Sequence, residues 1–183
     1  MKTFVIAQIF GALGMAMNAA SYQAKRQKTV ITVQLFGGLF FAVNMFMLGA
    51  VMGGLLNTLA VLRALVYSHK ERFCNLRLWN GVFFALFFLS YVAVFALFGK
   101  PLTVPNLLIE LLPLIGMVAT TISFSRTEAA SIRRLALISS PSWLVYNCIN
   151  FSIGGILCEA FSLVSVVIAM FRLDFKRCEG NEN

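Results

Sequence analysis

Histidine occurs once, at His69, and only four cysteines are present, Cys74, Cys148, Cys158 and Cys178, none of them in a C-x-x-C pair. Metal sites draw on clusters of such ligands, so none is expected here. The nucleophile elbow G-x-S-x-G, the P-loop and H-E-x-x-H are missing as well. Ser139, Ser140 and Ser142 have no histidine within a span to act as a base. An enzyme is therefore not expected, and neither are catalytic residues or a cofactor. Charge is scarce too. Asp, Glu, Lys and Arg make up 12% of the 183 residues, about half the share in an ordinary soluble domain, roughly 25%.

What replaces charge is apolar surface. The chain is 60% hydrophobic, with eighteen phenylalanines and a mean hydropathy of +0.85. A water-soluble fold of this length cannot hide that much of it. The composition predicts an all-α integral membrane protein, multi-pass in a bacterial inner membrane. Apolar runs long enough to cross a bilayer, about 17 to 20 residues, fall near 4–22, 30–48, 51–67, 79–98, 107–124, 135–151 and 154–171.

The net charge of +8 sits in clusters between these runs, which marks topology and not a nucleic-acid surface. With seven spans, one set of loops collects Lys25, Arg26 and Lys28, then Lys70, Arg72 and Arg77, then Arg126, Arg133 and Arg134, then Arg172, Lys176 and Arg177. The opposite set holds only Lys2 and Lys100, and Arg63 lies within a span, near enough to its end to snorkel. Six or eight spans would misplace a cluster. The expected orientation is N-terminus out and C-terminus in. The same asymmetry argues against reading MKTFVIAQIFGALGMAMNAA as a cleaved signal peptide, because the basic residues follow the apolar run.

Two segments share a grammar. FAVNMFMLGAVMGGLLNTLAVLRALVYS and WLVYNCINFSIGGILCEAFSLVSVVIAMF each end one span in an Asn-bearing run, turn at Gly-Gly and open another span with a polar residue, Asn57 or Glu159. Upstream, IAQIFGALGMAMNAASYQAKRQK parallels LLPLIGMVATTISFSRTEAASIRR, with Gly11 opposite Gly116. The chain therefore reads as seven transmembrane helices arranged 3+1+3. Residues 1–78 form a first triple-helix repeat, 79–105 a linker helix, 106–175 a second repeat, and 176–183 a cytoplasmic tail. Three crossings leave the chain on the wrong side for a parallel copy, and the fourth span restores it.

The runs IELLPLIGMVATTISFSR and SSPSWLVYNCINFSIGGILCEAF resemble the bacterial inner-membrane YgjV family, most specifically after residue 106. That family is in turn distantly similar to the PQ-loop, SWEET and SemiSWEET transporters. The resemblance implies a SWEET-like carrier of a sugar or other polar metabolite. The alternative it leaves open is a non-transporting receptor or assembly protein of the same fold. SemiSWEET-type sites pair a Trp on a repeat's second helix with an Asn on its third, which carries over here to Trp143 and Asn57. Phe40 or Phe41 stands where the first repeat would have Trp, Cys158 aligns with Asn57, and SYQ at Ser21–Gln23 lacks the group's proline.

Polar groups in lipid must find partners or line a wet cavity. Trp143, Asn147 and Asn150 recur at i, i+4 and i+7, one face of a helix. Asn44, Asn57, Glu110 and Glu159 lie near the outer ends of their spans. These seven residues are expected to converge on one outer-half chamber that binds a small polar solute. There Glu110 or Glu159 would exchange a proton or bind a cationic group. Pro113 and Pro141 are candidate hinges, because proline frees a backbone carbonyl. The other expected partners are membrane lipids. Nucleic acid is not expected, and self-association into a homo-oligomer stays open.

Overall fold

A computed structural model describes residues 2–21, 27–68, 75–124, 126 and 128–172. His69, the loop cations Lys25, Arg26, Lys70 and Arg72, the Tyr22–Gln23 pair, Cys74, Cys178 and the tail from 176 lie outside that set.

Lipid offers the backbone no hydrogen bonds, so a spanning chain closes its own as helix. Among the described residues seven helices result: α1 (Lys2–Ser21), α2 (Gln27–Met47), α3 (Val51–Ser68), α4 (Leu76–Ala96), α5 (Val104–Phe124), α6 (Ala129–Ile149) and α7 (Ile153–Met170). Among the described residues, α1, α4, α5 and α7 are each long and apolar enough to cross a membrane, and α2 and α3 carry shorter apolar stretches, Thr32–Met47 and Val51–Val66. Phe88, Leu89, Phe161 and Val164 are among many large apolar side chains left exposed, as expected where acyl chains and not water cover the outside.

The helices end for local reasons. Asn75 caps α4 by accepting the Leu78 N–H at 3.1 Å. The α2–α3 turn passes through Gly49 at φ 77°, and the α6–α7 turn through Phe151 at φ 54°. Both close the same way: Ala50 N–H donates to Met45 O at 2.9 Å, and Ser152 N–H to Asn147 O at 3.0 Å. That is the six-to-one bond of a Schellman ending.

α1 packs on α2 and α2 on α3, and α5 packs on α6 and α6 on α7. The two triplets meet where α1 touches α7 and where α3 touches α5, and α4 lies against α3 and α5. At the α1–α7 seam, Gly154 sits on the Gly11 carbonyl so closely that any Cβ would collide with backbone. The α4 side of the core is aromatic and aliphatic, with Phe83, Phe87 and Val94 buried.

The turns put the start of α1 and the α2–α3, α4–α5 and α6–α7 connections at one end of the bundle, the turn end. Of the expected basic clusters, the described Arg77, Arg126, Arg133, Arg134 and Arg172 lie at or near helix ends at the other, the basic end.

Candidate functional site

Seen from the contacts, the triplets correspond at one constant sequence offset. Gly14 approaches the ring of Phe41 as Gly116 approaches that of Trp143. Met45 accepts from Ala50 as Asn147 accepts from Ser152. The same offset carries Asn18 to Thr120, Gly53 to Gly155 and Asn57 to Glu159. Expected pairings are thereby shifted: Gly14, not Gly11, is opposite Gly116, and Glu159, not Cys158, is opposite Asn57. Aligning the two Gly-Gly pairs with each other puts the third helices one residue out of register.

Near the turn end, three polar ties join helices. Asn44, fully buried, donates from Nδ2 to Ala7 O at 2.7 Å and accepts at Oδ1 from Ser152 Oγ at 2.6 Å. Gln8 donates to Phe151 O at 2.7 Å and accepts from Ile153 N–H at 3.0 Å, stitching α1 to the α6–α7 turn. Glu110 is ion-paired with Lys100 and accepts from Tyr146 Oη at 3.1 Å. Tyr146 in turn accepts Gly53 N–H at 3.1 Å. That amide lies in the first turn of α3 and has no intrahelical acceptor. Gly53 is needed here because a Cβ would lie 2.7 Å from the Tyr146 ring.

Beneath this layer, between the triplets and extending toward the basic end, is a cavity of about 220 Å³. From α2 it takes Gln34, Gly38, Phe41 and Met45, one helical face at i, i+4, i+7 and i+11. α3 contributes Asn57, Ala60 and Arg63; α5 contributes Met117 and Thr120. α6 presents Ser139, Trp143 and Asn147, and α7 presents Gly155, Cys158 and Glu159, with Asn18 from α1. Trp143 lies edge-on to Tyr146, with ring centroids 6.1 Å apart, which ties the top of the cavity to the layer above it.

The expected site residues therefore divide. Asn57, Trp143, Asn147 and Glu159 share the cavity. Asn44 and Glu110 do not line it: their side chains are consumed by the turn-end ties. Asn150 does not line it either, because α6 ends there and its amide donates back to Tyr146 O at 2.8 Å. So the polar residues form two levels and not a single outer chamber. Pro113 lies in α5 between Glu110 of the upper level and Met117 of the lower. Pro141 lies in α6 between the cavity residues Ser139 and Trp143.

Arg63 departs furthest from expectation. It does not snorkel: it is buried, lines the cavity, and donates to Thr121 Oγ1 and toward Met117 Sδ at 3.4 Å. Asn57 spends its Nδ2 on Gly53 O at 2.9 Å. Asn147 is 3% exposed, and its Oδ1 is a buried acceptor with no partner. It reaches its position only because Gly155 has no Cβ there. Across α5 and α6, Thr120 Oγ1 and Ser139 Oγ are 2.7 Å apart, and Ser139 donates to Gly116 O at 2.9 Å.

Asn18, Gln34, Arg63, Thr120 and Ser139 were not foreseen as lining residues. The signal for Asn18 and Thr120 was present: each follows its Gly, Gly14 or Gly116, by one helical turn on the same face. Nothing in the sequence marked Gln34.

The family model for Imp-YgjV, described as a bacterial inner membrane protein, matches residues 5–177. The chain belongs to that family. No curated protein and no solved structure matches it.

Proposed function

We propose that this member of the bacterial inner-membrane YgjV family is a carrier of a small polar solute, working by alternating access around the cavity between its triplets. The observation that carries the reading is the cavity itself. It takes equivalent positions from both triplets, Phe41 with Trp143, Met45 with Asn147 and Asn57 with Glu159, so a relative rotation of the triplets would reshape it from both sides. At about 30 Å³ per water it has room for about seven waters or one small solute. It is smaller than the roughly 300 Å³ at which drug-sized pockets begin.

The two ends of the bundle are unlike. The turn end is tied by Asn44, Gln8 and Tyr146, while the cavity extends toward the basic end. Positive charge favours the cytoplasm, so this arrangement supports N-terminus out, C-terminus in and an inward-facing state. Opening the other way would break the three ties, with Pro113 and Pro141 as the bending points between levels. The contact pattern of α1–α3 and α5–α7, with α4 alongside, supports reading α4 as the linker of two parallel repeats.

Counterflow in proteoliposomes tests the reading. A panel of labelled sugars, amino acids and other polar metabolites is offered to the purified protein, with Asn57→Leu as the cavity variant. Counterflow of at least one solute, abolished by Asn57→Leu, is the expected result. Saturable binding without counterflow would favour a receptor of the same fold instead.

A further inference from the structure

The correspondence between the triplets leaves one seam covered and its counterpart bare. At the α3–α5 seam, Arg63 reaches from α3 to Thr121 and Met117 of α5, and α4 packs on both helices. The constant offset carries that seam onto α1 and α7. Thr121 falls opposite Ala19, Met117 opposite Met15, and Arg63 opposite Ser165. Serine is too short to bridge the second pair as arginine bridges the first. Leu157 and Phe161 of α7 are exposed, whereas their counterparts on α3, Leu55 and Leu59, are partly buried against the core that holds Phe83 and Phe87 of α4.

The bare seam is a groove of about 500 Å³. Its walls are apolar: Met15 and Ala19 from α1, and Leu157, Ala160, Phe161 and Val164 from α7. On the turn-end side the two helices meet at Gly11 and Gly154 with no room for a Cβ; toward the basic end they leave space between them. Asn18 and Cys158 line both this groove and the polar cavity. Asn18 Nδ2 donates to Cys158 Sγ at 3.7 Å, so this contact is part of the partition between the two spaces.

An unfilled groove loses dispersion contacts along its lining, and the bilayer core has no water to enter it. The occupant has to be slender. A helix with its side chains is about 10–12 Å across and cannot enter a slot that closes at a glycine–glycine contact, whereas an acyl chain can. The α7 wall also leads to a partner for the head of such a chain. Phe161, Val164, Ile168 and Arg172 follow at i, i+3, i+7 and i+11 on one helix face, all exposed. Arg172 stands three turns, about 16 Å, beyond Phe161, close to the half-thickness of a hydrocarbon core of roughly 30 Å. A cation at that depth meets a lipid phosphate when the tail lies along the groove. A head of net negative charge suits it best, because it brings no cation of its own to the basic end.

We propose that the α1–α7 groove is a binding site for an anionic phospholipid of the leaflet at the basic end. One acyl chain lies between α1 and α7, and Arg172 receives the headgroup phosphate. The chain takes the place at this seam that α4 takes at the other, and it closes the flank of the cavity at Asn18 and Cys158. The site does not depend on the cavity carrying a solute.

The test uses the full chain, purified in detergent and supplied with phosphatidylglycerol or phosphatidylcholine of the same oleoyl tails. Native mass spectrometry counts the retained lipids, and a phosphatidylglycerol with a diazirine on its tail maps them. One phosphatidylglycerol per chain should persist, with phosphatidylcholine retained about 5-fold less, the share of one basic residue at an anionic leaflet. The photolabel should concentrate on residues 15–19 and 157–164. Arg172→Gln should erase the preference between heads, and Ala160→Phe, which fills the groove, should abolish retention of both lipids. Ala85→Phe, at an exposed position of α4, should change neither. Label spread evenly over α4, α5 and the α1–α7 face would overturn the site, and that readout needs no variant. Absence of label together with a dimer joined at α1 and α7 would overturn it in favour of a second copy of the chain. A head preference that survives Arg172→Gln would overturn the placing of the phosphate.

Discussion

Tyr146 and Glu110 lie on different helices, α6 and α5, and the phenol donates to the carboxylate across 3.1 Å while accepting the Gly53 amide from a third helix, α3. One hydroxyl thus joins both triplets at the turn end. With Lys100 on the far side of Glu110, a charge from the α4–α5 connection reaches the first turn of α3 through three side-chain contacts.

Tyr146→Phe removes the middle of that chain. It leaves Gly53 N–H without an acceptor and Glu110 with Lys100 alone, at a cost of roughly 1–3 kcal/mol if both stay buried. The effect should appear as a lower midpoint in thermal unfolding of the purified protein. It should also increase labelling of a probe cysteine at Asn57→Cys from the turn-end side. Unchanged labelling would remove the ties from any gating role.

Gly154→Ala should be far more damaging than its size suggests, because the added methyl meets the Gly11 backbone at the α1–α7 seam. Overpacking of this kind costs about 1–3 kcal/mol or more, and backbone has no rotamer by which to yield. Gly81→Ala, in open space on α4, should be neutral or stabilise by about 0.5–1 kcal/mol. Comparing the two melting temperatures checks the seam.

Gly155→Ala targets the cavity in place of the seam. The new Cβ would displace Asn147 Oδ1, so solute binding should fall while the protein still purifies as a monodisperse species. Retention of full affinity would show that Asn147 does not receive the ligand.

Orientation is checked by fusions. Green fluorescent protein at the C-terminus should fluoresce, and alkaline phosphatase there should be inactive, if the basic end faces the cytoplasm. In a variant with Cys74 and Cys178 changed to serine, a membrane-impermeant maleimide should reach Cys158, a half-buried wall residue, from the cytoplasmic side. Solute should protect it.

Much of the fold was legible because hydropathy and helix length are local properties. Each apolar run became a helix, within a few residues at its ends; α6 begins earlier than expected, at Ala129, since Arg133 and Arg134 lie in its first turns and interrupt apolarity without interrupting the helix. Of the candidate site, Trp143, Asn147, Asn57 and Glu159 were found because polar residues in lipid stand out. Asn44, Glu110 and Asn150 stood out equally, yet serve helix ties and a cap. Spacing along a chain reports which face a residue is on, not which neighbour's atoms already satisfy it. Arg63 was misjudged for the same reason: its distance from the helix end permits snorkelling, and only the position of Thr121 on α5 shows that it turns inward.

The sequence by itself determined the solvent of this protein, its helices and the clustering of its basic residues, because apolar transfer energy and charge cost are sums over residues. The tertiary structure decided the rest. The one-residue register between the triplets, the split of buried polar groups into a tied layer and a cavity, and the placing of Arg63 and Glu159 on the wall of one cavity all depend on close contacts such as Gly14 on Phe41 and Gly154 on Gly11. Those are set by how helices rotate and approach one another, and in a chain apolar on nearly every face no periodicity fixes that rotation.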